Sequence, residues 1–308
     1  MEQHMITWRS VAIYGDAIVV GAYRDDDNGF NSGLANVFVR SGGVWTHQAK
    51  LSAPDGASGD YFGLSVTIYG DTVVVGAPLD NDNGFDSGSA HVFVRSGEEW
   101  THQAKLLAPG GAAGDYFGLS VTIYGDTVVV GANGDGDNGF DSGSAHVFVQ
   151  CGEGWTHQAK LLAPDGVTDD NFGYSVSIYG DAIVVGCFDS GYAHVFVRSR
   201  EGWSHQAKLL APGGAAGDYF GLSVAIYGVT VVVGAPLDND NGFDSGSAHV
   251  FVRSGEEWTH QAKLLAPDGA ADDKFGWSAA IYGDSVVVGA DRDGDNGNES
   301  GSAHVFVV

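Results

Sequence analysis

Val73-Val74-Val75-Gly76-Ala77 is one of six copies of the same segment in this chain of 308 residues. It returns at 128–132, 183–187, 231–235 and 286–290, and Ile18-Val19-Val20-Gly21-Ala22 is the first copy. The glycines fall at Gly21, Gly76, Gly131, Gly186, Gly234 and Gly289, spaced by 55, 55, 55, 48 and 55 residues. A period of this size marks stacked supersecondary units, none of which buries its apolar face alone. The pattern predicts one domain over 1–308, with six repeats of about 55 residues and the fourth shortened to 48. It also argues against a one-off active site and for a surface that the repeats build together.

One copy reads as four short strands, named A to D here. Ser120-Val121-Thr122-Ile123-Tyr124 alternates and then meets Gly125-Asp126, a tight hairpin signal. Thr127-Val128-Val129-Val130 is a β-branched run suited to a strand covered on both faces. An acidic, glycine-rich loop leads to Ala145-His146-Val147-Phe148-Val149, and a short turn leads to residues 155–161. Ala163-Pro164 closes the unit, because proline removes a ladder donor. Four antiparallel strands per repeat, six times over and without helical periodicity, predict an all-β, six-bladed β-propeller. A linear β-solenoid is the alternative. Strand A is expected innermost, strand D outermost, and A and B most buried.

Acidic residues number 39 against 14 basic ones, a formal charge of -25. Such a surface repels phosphate backbones and anionic membranes, so nucleic acid is excluded as a partner and cations, cationic proteins and neutral glycans stay open. No apolar run reaches the ~20 residues of a membrane-spanning helix. Residues 1–5 lack the basic and apolar regions of a secretory signal. The two cysteines, Cys151 and Cys187, fall at opposite ends of neighbouring repeats and are not expected to pair.

The residues also carry a family resemblance. Phe62-Gly63 followed by Gly76-Ala77-Pro78, and Phe220-Gly221 followed by Gly234-Ala235-Pro236, resemble the FG-GAP repeat of integrin α-subunit propellers and their bacterial and algal relatives. Phe117-Gly118, Phe172-Gly173 and Phe275-Gly276 repeat the first half of the motif. The resemblance implies extracellular or cell-surface ligand binding and adhesion. Integrin-type calcium loops lie between the first two strands of a blade, whereas that connection here is only Tyr69-Gly70-Asp71, so those sites are not carried over.

The acids concentrate in the B–C and D–A connections, which an antiparallel blade places at one end. Together these hold 27 of the 39 acids. The B–C loop has a fixed grammar, as in Asp80-Asn81-Asp82-Asn83-Gly84-Phe85-Asp86-Ser87-Gly88. Alternating carboxylates at a glycine bend resemble the oxygen donors gathered around Ca²⁺. The expected ligands are Asp25 and Asp27; Asp80, Asp82 and Asp86; Asp135, Asp137 and Asp141; Asp238, Asp240 and Asp244; and Asp293 and Asp295. Repeat four, reduced to Asp189-Ser190-Gly191, is expected to hold no ion. The competing reading is that Asp and Asn cap their own backbone in Asx-turns. A second acid, two residues before each Phe-Gly (Asp60, Asp115, Asp170, Asp218 and Asp273), reads as a loop cap.

Histidines recur on strand C (His91, His146, His194, His249 and His304) and on strand D (His47, His102, His157, His205 and His260). They are expected to pack or hydrogen-bond across strands, and Trp45, Trp100, Trp155, Trp203 and Trp258 to cover the outer blade. The functional expectation is a non-enzymatic, adhesion-type binding propeller with an acidic, calcium-binding loop face that takes a protein or glycan ligand. The alternatives are a calcium-dependent lectin stacking sugar on the tryptophans or on Tyr61, Tyr116 and Tyr219, a polysaccharide-active enzyme, and a recently duplicated or engineered scaffold. The sixth repeat stops at strand C, and residues 1–9 are too few to cross to it and add a full strand. A three-stranded last blade with an open edge, and weak self-association there, follow.

Overall fold

The computed structural model describes residues 10–308 other than Ala216, Asn296 and Asn298. Every described element is a strand, and the strands form six antiparallel blades. Five have the order A-B-C-D and the sixth stops at C, so the fold is an all-β, six-bladed β-propeller with a three-stranded last blade. The chain divides into two compact units, Met1–Leu161 with blades one to three and Leu162–Val308 with blades four to six.

Blade two shows how the sequence becomes this sheet. Strand A, Ser65–Tyr69, turns at Gly70-Asp71 into strand B, Thr72–Ala77; strands C and D are Ser89–Ser96 and Glu99–Leu106. Blade five has Val229 in place of the turn aspartate and keeps the turn, its carbonyl accepting from the Arg253 amide at 2.8 Å. Within each unit the A strands of successive blades lie side by side. Tyr14, Tyr69 and Tyr124 meet ring to ring in the first unit, and Tyr179, Tyr227 and Tyr282 do so in the second.

Burial corrects one expectation. Strand B is almost wholly buried, but its companion in the core is strand C rather than strand A. Strand A has a ladder partner on one edge only, whereas C lies between B and D and is covered on both faces. Val92, Val147, Val195 and Val250 on strand C are fully buried.

The Phe-Gly and Gly-Ala halves of the repeated motif are one joint. A Cβ on Gly76 would lie 2.0 Å from the Gly118 carbonyl oxygen of the next blade, and one on Gly234 would lie 1.9 Å from that of Gly276. Ser65 Oγ donates to the same Gly118 oxygen at 2.8 Å. The Phe117 ring beside it is fully buried against Phe148 and His146. Blades within a unit are therefore locked backbone to backbone at a glycine and ring to core at a phenylalanine.

The outer strands add a second joint. Strand D skips one residue opposite C, between Val92 and Phe93 in blade two and at the same place in the other four-stranded blades. The bulge turns a glutamine towards the next blade. Trp100 Nε1 donates to Gln48 Oε1 at 2.9 Å, Trp155 to Gln103 at 2.9 Å and Trp258 to Gln206 at 2.8 Å. These tryptophans tie blades together as outer-blade cover. Cys151 and Cys187 are both free.

Candidate functional site

The B–C loop, residues 78–88 in blade two, folds on its own polar side chains. Asp80 Oδ1 accepts from the Asp82 amide, Asn81 Oδ1 from the Asp86 amide, and Ser87 Oγ from the Asn83 amide. Asp86, Asp141 and Asp244 sit at φ of 55°, 50° and 52°, a left-handed turn that aspartate tolerates better than most residues. The finished loop lies against the following D–A loop, where the Gly114, Tyr116 and Phe117 amides donate to the carbonyls of Phe85, Asp86 and Ser87. Both kinds of connection thus meet at one end of the blade. The second recurring acid caps the D–A loop: Asp60, Asp115, Asp170, Asp218 and Asp273 each accept from the amide three residues earlier, at 2.6–2.7 Å.

Each of these acidic loops outside blade six faces a cation that the chain itself supplies. Lys105, on strand D opposite His91, reaches Asp80 at 2.7 Å, Asp82 at 2.6 Å and Asp55 at 2.8 Å. Lys160 joins Asp135 and Asp137 at 2.6 and 2.5 Å, and Lys263 joins Asp238 and Asp240 at 2.6 and 2.5 Å. In blade one Lys50 binds Asp27, with Asp25 acting on it at longer range. Burial opposes the charge on Lys105, but its carboxylate partners outweigh that and push its pKa up. Asp135 and Asp238 are buried, which alone would raise them, yet His146, Lys160 and Ser144 hold Asp135, and Lys263 and Ser247 hold Asp238, below the usual carboxylate range.

This arrangement decides how well the expected calcium ligands fit an ion. Asp80, Asp135 and Asp238 are buried and committed to a lysine, a serine hydroxyl and a backbone amide. Asp82, Asp137 and Asp240 close on the same ammonium, while Asp86, Asp141 and Asp244 occupy the turn beyond it. Among the described residues no three or more His, Cys, Asp or Glu side chains are placed to hold a metal ion. The loops of blades two, three and five therefore do not fit Ca²⁺ unless the lysine leaves. Blade six differs: among the described residues it has no strand D, and none of them supplies Asp293 and Asp295 with the lysine found in blades two, three and five. The charges of Asp293 and Asp268 there push the Asp295 carboxyl up.

The histidines form a relay that spacing alone did not reveal. In blade two His102 Nε2 lies 3.1 Å from His91 Nδ1, His91 Nε2 lies 3.2 Å from Ser89 Oγ, and Ser89 donates to Asp80 at 2.8 Å. With one proton per ring the donors run from His102 through His91 and Ser89 to the carboxylate. Blades three and five repeat it through His157, His146, Ser144 and Asp135, and through His260, His249, Ser247 and Asp238. The set has the members of a Ser-His-Asp triad without its direction. The serine gives its proton to the aspartate and is wholly buried, so it is not activated as a nucleophile. Burial, with Lys105 and His102 adding to it, holds the His91 pKa down at about 4; His194 and His249 are likewise lowered to about 4, mainly by burial.

The most exposed side chains of the loops are aromatic. Phe30, Phe85, Phe140 and Phe243 stand at the B–C loop tips, 72–74% exposed, each next to Asn31, Asp86, Asp141 or Asp244. Sequence reasoning passed over them as part of the loop grammar. The signal was present: a large apolar residue recurs inside a stretch that is otherwise acid, amide, glycine and serine. Tyr61, Tyr116 and Tyr219 instead hold positive-φ turns (56°, 54° and 55°) at partly buried positions, Tyr61 against Tyr23 and Tyr219 against Phe188.

A search of curated proteins finds no significant match to the chain. The sequence model of the FG-GAP repeat matches six times, at 9–38, 45–93, 100–148, 155–196, 203–251 and 258–306. The first segment covers strands A to C of blade one and each later one runs from strand D of one blade through strands A to C of the next; with the glycine and phenylalanine joints between blades they place this chain in the FG-GAP repeat family.

Proposed function

We propose that this chain is a non-enzymatic binding module of the adhesion type, acting outside the cell or at the cell surface, and that its ligand surface is the loop end of the blades. The observation that carries this reading is the set of exposed phenylalanines at the loop tips. A soluble chain does not gain folding stability from such rings, and each is flanked by acids or amides held in a rigid turn. Repetition of a weak aromatic-plus-carboxylate contact suits a multivalent ligand, for which linked contacts multiply affinity. The chemistry favours a partner offering cationic and apolar groups, such as a lysine- or arginine-rich protein segment. Sugar rings stacked on the same phenylalanines are the second reading, supported by the amide and carboxylate acceptors beside them.

The test is binding of an arginine-rich peptide and of a glycan array to the wild type and to the variant carrying F30A, F85A, F140A and F243A. The proposal expects the variant to melt like the wild type and to lose at least tenfold in affinity for whichever probe binds. Equal binding by both proteins overturns it. Calcium enters as a proposal on one condition, that it displaces the loop lysines. A rise in melting temperature with saturating Ca²⁺ over chelator supports that exchange, and equal temperatures leave lysine as the loop cation.

A further inference from the structure

Blade four carries a notch where blade two carries a loop. Its B–C connection is residues 188–191, against residues 78–88 in blade two. Beside the shortened loop lies a cavity of about 170 Å³ lined by Ser190, Gly191, Leu210, Ala215, Asp218 and Phe220.

In three other blades the B–C loop itself fills this place. The Tyr61 and Phe62 amides donate to the carbonyls of Asn31 and Ser32, those of Tyr116 and Phe117 to Asp86 and Ser87, and those of Lys274 and Phe275 to Asp244 and Ser245, all at 3.0–3.2 Å. The loops also rest on a glycine floor. Asn83 Nδ2 would lie 3.4 Å from a Cβ on Gly111, and Asn241 Nδ2 3.5 Å from one on Gly269.

Blade four keeps the floor and lacks the filling. Tyr219, Phe220 and Gly214 stand where Tyr116, Phe117 and Gly111 stand after blade two. Among the described residues, however, the Tyr219 and Phe220 amides donate to no protein acceptor, and the bridge that joins Gly88 to Phe117 has no counterpart. The three atoms nearest a Cβ on Gly214 belong to Ala211 and Asp218, none of them to the loop. A Cβ on Gly191 would meet nothing nearer than the Ala215 oxygen at 3.9 Å, whereas one on Gly88 would lie 2.1 Å from the Phe117 oxygen. Leu210 at the rim is 55% exposed, although Leu107 and Leu265 at the same position are partly buried. Main-chain donors without a protein partner must be met from outside, by water or by a ligand.

We propose that the notch of blade four is a binding site for a glycine-containing turn of a partner protein, whose main-chain carbonyls accept from the Tyr219 and Phe220 amides as the loop carbonyls do in the other blades. The donors sit on consecutive residues, which suits consecutive peptide carbonyls. Asp189 and Asp218 stand at the notch, so a carboxylate or phosphate is repelled and a turn with neutral or basic side chains is favoured. A second copy of this chain carries the same charge of -25 and already spends its loop carbonyls of blades one, two and five on its own D–A loops. The notch adds to the loop-tip phenylalanines a separate seat for a protein ligand and does not depend on them.

The probe is a neutral cyclic hexapeptide copying residues 83–88 with Asp86→Asn, titrated into the full chain by calorimetry and followed by amide hydrogen exchange. In the free protein the Tyr219 and Phe220 amides should exchange about tenfold or more faster than those of Tyr116 and Phe117, and saturating peptide should slow them. Affinity should fall about tenfold or more when residues 188–189 of the protein are replaced by a copy of residues 78–86, which restores the loop, and when the peptide carries Gly84→Val. The peptide variant decides the matter if the grafted protein does not fold. Binding should persist in the protein carrying F30A, F85A, F140A and F243A, which separates this site from the loop tips; loss there would put the peptide on the tips and overturn the proposal. Slow exchange of both amides in the free protein, no saturable binding, or equal binding by the grafted protein also overturns it. So does binding of an N-acetylated sugar without binding of the peptide, which would make a glycan the occupant, or a dimer that the graft abolishes, which would make it a second copy.

Discussion

Lowering the pH from 7 to 5 should destabilise this protein through three buried imidazoles. His91, His194 and His249 have folded-state pKa values near 4, held down first by burial, against about 6.5 in an unfolded chain. Because the folded value is the lower, the neutral ring's contribution is fully present above 6.5 and is lost as the pH falls towards 4. Between pH 7 and 5 each histidine withdraws about 2 kcal/mol, so the three together withdraw roughly 6 kcal/mol, or about 5–10 °C in melting temperature. Around His91 the facing groups are His102, Lys105, Asp55 and Asp80, and around His249 they are His260, Lys263, Asp238 and Asp240. Asp60 and Asp115, raised by burial, work in the opposite direction, but only as the pH nears the carboxylate range. The chain supplies its own control: blade one has Asn36 at this position, accepting from His47 Nε2 at 3.0 Å. A variant with His91→Asn and His249→Asn should therefore stay folded at pH 7 and keep about a third of the pH-dependent loss. Melting by circular dichroism at both pH values measures it. A loss in the variant equal to that of the wild type would refute the reasoning.

Other expectations follow from single joints. Lys105→Gln leaves Asp80 buried without its cation and should lower stability by about 2–3 kcal/mol in urea unfolding; added Ca²⁺ should then stabilise the variant more than the wild type. Gly76→Ala places a methyl group within 2.0 Å of the Gly118 carbonyl and should cost more than ~3 kcal/mol or prevent folding, scored by soluble yield and melting. Trp100→Phe removes the bond to Gln48 but keeps a ring, and should cost about 1 kcal/mol in urea unfolding. Phe85→Ala at an exposed tip should change stability by less than ~0.5 kcal/mol while weakening ligand binding.

The period, the strand count and the short last blade were legible because they rest on local signals: β-branched runs, Gly-Asp hairpins and the glycine repeat. Strand C hid its burial because His91 and Ser89 make it read as an outer, half-polar strand; only the relay to Asp80 and His102 makes those polar atoms acceptable inside. The lysine was missed for a geometric reason. Lys105 follows Asp82 by 23 residues, and its placement opposite His91 depends on the register on either side of a bulge that spacing does not announce. The clue was its recurrence at Lys50, Lys105, Lys160, Lys208 and Lys263, once per complete strand D, in a chain with only 14 basic residues.

Blade four tests what the lysine is for. Its B–C loop is cut to residues 188–191, so no counterpart of Asp80 or Asp82 remains, and Tyr192 stands where Ser89 stands in blade two. Lys208 nevertheless keeps its place and lies 3.4 Å above the Tyr192 ring while holding Asp165 at 2.7 Å. The Tyr192 hydroxyl donates to Asp170 at 2.7 Å, and His194 Nε2, deprived of the serine, is left without a hydrogen-bond partner. With the acidic loop gone, the aromatic face and the D–A carboxylate take over the cation. A lysine that finds a new partner when its loop is deleted belongs to the blade rather than to the loop. The carboxylates of the longer loops then close on a cation that the blade supplies with or without them.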